Sequence, residues 1–225
     1  EMSSVNPVFI LPGKLAEDPA GLARTLAASI TLGCGQFCTN PGILVAIKSE
    51  ALDNFKEMLA QEIHKVSPAL MLHNGIADNF YKTKARALEQ KGVTLLAESD
   101  RESLTGQDKP SVAGVTAGDF LNNPLLHSEV FGSFSLLVTC NDDSEMLAVA
   151  TGMEGQLTSS LMATEEDMVT NRQLLSEMQE HCGRLICNGV PTGVEVVLSM
   201  HHGGPYPSST DSRFTSVGAD AILRF

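Results

Sequence analysis

The segment Gly35-Gln36-Phe37-Cys38-Thr39-Asn40-Pro41-Gly42 concentrates the residue types most able to do chemistry. A cysteine stands between the end of a helix and a short apolar run, with glycine on one side and Asn-Pro-Gly on the other. These are turn residues, so the sulfur and backbone N–H of Cys38 are offered at a bend that a small molecule can approach. A thiolate there can add to a carbonyl carbon, and the N–H can receive the oxyanion that forms. The plainer reading is a structural thiol, because cysteine packs as a small hydrophobe. A cysteine hydrolase or acyltransferase would need an imidazole on the sulfur, with His64 or His73 as the candidate. His64 lies in a charged helical stretch that reads as solvent-exposed. A metal site built from His201, His202, Cys182 and Cys187 is a third possibility. Its spacing matches no closed zinc pattern, and adjacent histidines point apart on an extended chain.

Such a turn needs a frame, and short β-rich runs alternating with longer amphipathic ones give the signature of an α/β fold. Asp18-Pro19 opens a helix to about Leu32, with Leu22, Leu26 and Ile30 on one face. The consecutive apolar run from Gly42 to Ile47 reads as a buried strand. Ser49 caps a second helix that repeats Leu52, Phe55, Leu59, Ile63 and Val66 at helical spacing. A helix from about Ile76 to Gln90 stops at Gly92, before a strand from Val93 to Ala97. Further strands are expected at Ser111 to Val115, Ser133 to Thr139, Leu157 to Met162 and Arg184 to Asn188. Helices at Asp143 to Thr151 and Glu165 to His181 separate the last three. The Gly/Pro/Ser-rich stretch from His201 to Phe214 reads as an ordered loop. The sum is one α/β domain over residues 1–225, with an open, mainly parallel twisted sheet, helices on both faces and any chemistry on loops at the strand ends.

Composition narrows the function classes. The net charge of −12 argues against nucleic-acid and anionic-membrane partners, which need a basic face. No apolar run approaches the roughly 20 residues needed to cross a bilayer. Five cysteines, an odd and sparse set, fit a reduced, cytoplasmic setting. The chain starts at Glu1 rather than Met and stops at Phe225 after an apolar stretch, so it reads as part of a longer protein.

The motif glycine-glutamine-any-cysteine at Gly35 to Cys38 resembles the active-site cysteine segment of the aldehyde dehydrogenase superfamily. Two further segments match in the right order. Glu1-Met2-Ser3-Ser4-Val5-Asn6-Pro7 resembles the glutamate-leucine-glycine-glycine-lysine-x-proline segment, with two serines in place of the glycines. Glu129-Val130-Phe131-Gly132 is similar to glutamate-x-phenylalanine-glycine-proline, with Ser133 where proline is usual. More weakly, Arg184 to Gly189 resembles a late strand ending in a structural asparagine, here Asn188. His202-Gly203-Gly204 stands where most members have phenylalanine-glycine-glycine. The run from Met200 to Thr210 looks most like the branch that holds 2-oxoglutarate semialdehyde dehydrogenases and an NADP-linked fatty-aldehyde enzyme. The resemblance spans essentially the whole chain.

This resemblance implies an NAD(P)+-dependent oxidation of an aldehyde to a carboxylate through a cysteine thiohemiacetal and thioester, with NADP+ favoured and no metal. It implies Cys38 as nucleophile and Glu1 as the base that activates water. Glu129 and Phe131 would hold the nicotinamide riboside, while Phe37, Thr39 and His202 would line the aldehyde pocket. The favoured aldehyde is 2-oxoglutarate semialdehyde, with a long-chain aliphatic aldehyde as the alternative. No glycine-rich phosphate loop follows a strand, and Gly33-Cys34-Gly35 lies in the wrong context for one. The cofactor-binding domain and oligomerisation strands are therefore expected elsewhere in the same polypeptide, with a homo-oligomeric whole protein and an inactive isolated chain.

Overall fold

The computed structural model describes residues 4–191, 197, 198, 200, 202–209, 211, 213–215 and 217–224. Among these, seven strands form one sheet: β1 (Val8–Ile10), β2 (Ile43–Ile47), β3 (Thr94–Glu98), β4 (Ser111–Thr116), β5 (Phe134–Cys140), β6 (Gln156–Met162) and β7 (Cys182–Cys187). Their order is β3-β4-β5-β2-β1-β6-β7. Every neighbouring pair is parallel except β3–β4, which is antiparallel at one edge. The open, mainly parallel sheet expected from the sequence is present.

Burial on both faces explains why the central strands are apolar at consecutive positions. Phe9, Val45, Leu136 and Val138 join one core, while Val8, Ile10, Leu44 and Leu137 join the other. Helices α2 (Pro19–Thr31) and α3 (Glu50–Lys65) cover the second core through Leu22, Leu26, Ile30, Leu52, Phe55, Leu59 and Ile63. The first is covered by α4 (Asn74–Leu88), α6 (Asp143–Thr151) and α8 (Arg172–Glu180). Side-chain caps start several helices: Asp18 accepts from the Gly21 N–H, Ser49 from Leu52 and Asp142 from Glu145.

Three local differences from the sequence reading stand out. Residues 8–17 hold a three-residue strand followed by α1 (Pro12–Glu17), a strand too short to register as a period. A short helix, α5 (Ala117–Leu121), follows β4 directly. The single helix expected from Glu165 to His181 is two, α7 (Glu165–Thr170) and α8, because Asn171 leaves helical geometry at φ −105° and ψ 37°. No helix among the described residues is long and apolar enough to cross a membrane.

Since β1, β2, β4, β5, β6 and β7 run parallel, their amino-terminal ends share one edge of the sheet. The segments bearing Asn6, Cys38 and Glu129–Phe131 enter β1, β2 and β5 there.

Candidate active site

The turn that bears Cys38 is made by a tight reversal after α2. Gly33, Cys34 and Gly35 all take left-handed backbone angles, with φ of 55°, 59° and 63°. Two of the three are glycine, which reaches that region at no steric cost. Gly35 also has no room for a side chain, since a Cβ would lie 2.2 Å from the Gly132 carbonyl oxygen. The turn thus packs backbone to backbone on the entrance to β5. It closes with the Asn40 N–H donating to the Phe37 carbonyl at 3.0 Å, and the chain then enters β2.

The Cys38 sulfur sits half-buried with its Sγ 3.1 Å from Nε2 of His202. His202 is itself buried. Its loop is held against the amino-terminal ends of β6 and β7 by two close approaches, one of a side chain and one of backbone. Pro205 packs on Gly155, and the Gly203 carbonyl occupies the space a side chain at Gly183 would need. The other cysteines differ in kind. Burial, reinforced by the Asp108 carboxylate, pushes the Cys34 thiol up to about 11. Burial raises Cys140 to about 12, with help from Glu145 and Asp142, and Cys182 to about 11. Those three are protonated, unreactive thiols at neutral pH. Cys187 is exposed on β7.

Glu129 and Phe131 reach the same edge. With Asn40 and Gly35 of the Cys38 turn they line a cavity of about 20 Å³, alongside Ser4 and Ser128. The Gly132 carbonyl accepts from Asn40 Nδ2 at 3.1 Å, and the hydroxyl of Ser133 donates a short hydrogen bond to the buried Asp108 carboxylate. That bond gives a use to the serine standing where the family has proline. Asn188, the expected structural asparagine, bonds both the N–H and the carbonyl of Ala163, at 2.9 and 2.8 Å.

The fold therefore brings Cys38, His202, Glu129 and Phe131 to one edge. Phe37 is partly exposed beside the sulfur in sequence, whereas Thr39 is buried. Glu1, expected as the base, lies outside the described residues, as does His201. The imidazole on the sulfur is neither of the two histidines weighed for a hydrolase. Nδ1 of His64 lies 2.7 Å from the Glu98 carbonyl and 3.0 Å from Asp100, and His73 is an exposed residue at the start of α4. Sequence reasoning missed the Cys38–His202 contact. Its one signal was the histidine standing where phenylalanine is usual. Among the described residues no three His, Cys, Asp or Glu side chains gather as a metal site. Arg213 is exposed and paired with Asp211 at 2.6 Å.

No protein-family model matches the chain. Its curated relatives include alpha-ketoglutaric semialdehyde dehydrogenase 2 of Azospirillum brasilense, 41% identical over 225 residues, all of this chain and 43% of the relative. The alpha-ketoglutaric semialdehyde dehydrogenase of Acinetobacter baylyi is 38% identical over 226 residues, again all of this chain and 43% of the relative. Among solved structures, succinic semialdehyde dehydrogenase from Streptococcus pyogenes in complex with NADP+ has a TM-score of 0.72 at 18% identity, over 91% of this chain and 44% of that one. The fold is that of the aldehyde dehydrogenase catalytic domain. Within that class the chain's curated homologues are alpha-ketoglutaric semialdehyde dehydrogenases, and it spans less than half of their length.

Proposed function

We propose that the whole protein oxidises 2-oxoglutarate semialdehyde to 2-oxoglutarate with NAD(P)+, and that this chain is its nucleophile-bearing domain. The observation that carries the reading is Cys38 Sγ held 3.1 Å from His202 Nε2 at the edge where the Glu129–Phe131 segment also arrives. The substrate rests on the two relatives' names, which agree with the run from Met200 to Thr210. The spans of those relatives leave more than half of their length for a cofactor-binding domain in the same polypeptide. A homo-oligomer and a reduced, cytoplasmic setting complete the proposal, the latter fitting a sparse, odd set of five cysteines.

A nicotinamide riboside fits what the edge offers. Glu129 is a half-buried carboxylate suited to a ribose diol, and Phe131 an aromatic face beside it. Asn40 lines the same cavity, and its Oδ1 is buried with no hydrogen-bond partner among the described residues. When bound, the dinucleotide supplies a hydride acceptor, with NADP+ favoured over NAD+ by the branch resemblance.

The chain's own residues divide the rest of the work. His202 Nε2 accepts the Cys38 proton, and the sulfur adds to the aldehyde carbon, turning the carbonyl oxygen into an oxyanion that the Cys38 N–H can receive. Loss of hydride from that carbon leaves a thioester on Cys38. Glu1 deprotonates the water that cleaves it, releasing the carboxylate and restoring the thiol. Phe37, Thr39 and His202 surround the aldehyde.

The test uses the intact protein with a panel of aldehydes and both dinucleotides, following reduced nicotinamide. The expected result is a kcat/KM maximum at 2-oxoglutarate semialdehyde, lost in Cys38→Ala. A maximum at a long-chain aldehyde would reassign the substrate, and full activity in Cys38→Ala would refute the mechanism.

A further inference from the structure

Asn6 is fully buried just before β1, at a left-handed φ of 43°. Asparagine tolerates that region better than most residues with a side chain. Its Nδ2 donates to the carbonyl of Cys38 at 2.9 Å and to that of Asn40 at 3.0 Å, with a longer contact to the Ser4 carbonyl at 3.2 Å. Its Oδ1 accepts from Ser4 Oγ at 2.8 Å, from the Thr158 N–H at 3.2 Å and from Thr158 Oγ1 at 3.1 Å. The backbone is fixed as well. Gln156 Oε1 accepts from the Val5 and Asn6 N–H groups at 2.6 and 3.3 Å, and Gln156 begins β6.

One carboxamide thus spans two elements. Its oxygen is anchored on β6, and its nitrogen grips the carbonyl of the cysteine itself and that of the residue two further on. No other uncharged side chain of this size offers two donors on one atom and an acceptor on the other. Asp would turn donors into an acceptor facing two carbonyls, and Ser would be too short to span the gap. Only the backbone of the turn is held in this way, so the direction of the Cys38 side chain toward His202 depends on it.

We infer that Asn6 is the positioning residue of the nucleophile turn, setting Cys38 Sγ against His202 through the Cys38 and Asn40 carbonyls. The inference rests on the assignment of Cys38 as nucleophile. Misplacing a reacting atom by about 1 Å can cost on the order of 10²-fold in rate without weakening substrate binding. Asn6→Asp and Asn6→Ser in the intact protein are therefore expected to lower kcat by about 10²-fold while KM stays within about threefold. The alkylation of Cys38 by iodoacetamide, located by peptide mass, should slow in parallel. Leu59→Ala, in the core on the opposite face of the sheet, provides the comparison. It should lose thermal stability yet keep both kcat and alkylation rate. Gln156→Ala releases the backbone that carries the Asn6 carboxamide and so loosens both donated bonds, and should fall between wild type and the Asn6 variants. If the Asn6 variants are too unstable to purify, Gln156→Ala alone decides: folded and indistinguishable from wild type, it overturns the inference. Folded Asn6 variants with wild-type kcat and alkylation do the same. Alkylation reads the sulfur without any turnover. Its slowing in a protein that oxidises no aldehyde would leave the positioning role standing and remove the dehydrogenase reading instead.

Discussion

At the scale of single residues, the five cysteines show how environment separates the proposed nucleophile from its neighbours. Desolvation holds Cys34, Cys140 and Cys182 as thiols, at about 11, 12 and 11, whereas Cys38 is half-buried against an imidazole. Iodoacetamide at pH 8 is accordingly expected to label Cys38 and the exposed Cys187 in the native protein, and the other three only after unfolding. Peptide mass mapping checks this, and early labelling of Cys140 would contradict the burial argument. His202→Phe restores the residue usual in the family and removes the proton acceptor. It should slow Cys38 alkylation at neutral pH by on the order of 10²-fold, the ordinary contribution of a positioned base. An unchanged rate would mean that the 3.1 Å contact plays no part in activation. The cysteine was legible because its turn residues are adjacent in the chain. Its partner lies 164 positions away in a loop with no periodicity, and only folding brings the two together. Asn6 escaped notice for a similar reason: Asn before Pro reads locally as a turn, and its four distant partners leave no mark in the sequence.

Elements place these residues through backbone contact more than through side chains. The nucleophile turn rests on the segment entering β5, where Gly35 meets the Gly132 carbonyl. Gly35→Ala should force that contact apart at a backbone angle alanine resists, costing about 2 kcal/mol in stability and lowering kcat together. Denaturant unfolding beside steady-state kinetics tests it, and a variant with wild-type values in both would show that the turn can relax. Long elements were readable where their periods were long. The repeats of α2, α3 and α4 and the apolar runs of β2 and β5 fall within a residue or two of their expected spans. What escaped was set by tertiary context: a strand of three residues, β1, sandwiched between β2 and β6, and the interruption at Asn171.

On the scale of the whole molecule, the site occupies the amino-terminal edge of the sheet. Open α/β sheets more often bind ligands beyond the carboxyl ends of their strands. Which end carries the candidate site could not be read from a sequence that shows strands without directions. Stability draws on a charged cluster at the same edge, beside the start of β4. Burial pushes the Glu98 carboxyl up, but Lys109 and the buried Lys84 outweigh it, so the net shift is downward. A carboxyl depressed in the folded state contributes stability above its unfolded value of about 4.3, lost as pH falls through the folded value. Glu98→Gln should cost about 3 kcal/mol near neutral pH by stranding Lys84, and should flatten the acid limb of a stability profile below about pH 4.3. An acid limb as steep as wild type would assign it to other carboxylates. The central claim, that the Cys38 sulfur bonds to the aldehyde carbon, is tested most directly by rapid acid quench of the intact protein. The mixture holds 2-oxoglutarate semialdehyde and NADP+, and the mass of the Cys38 peptide is read. The account expects an acyl adduct on that peptide within the first turnover and none in Cys38→Ala; turnover with no adduct on Cys38 would contradict it.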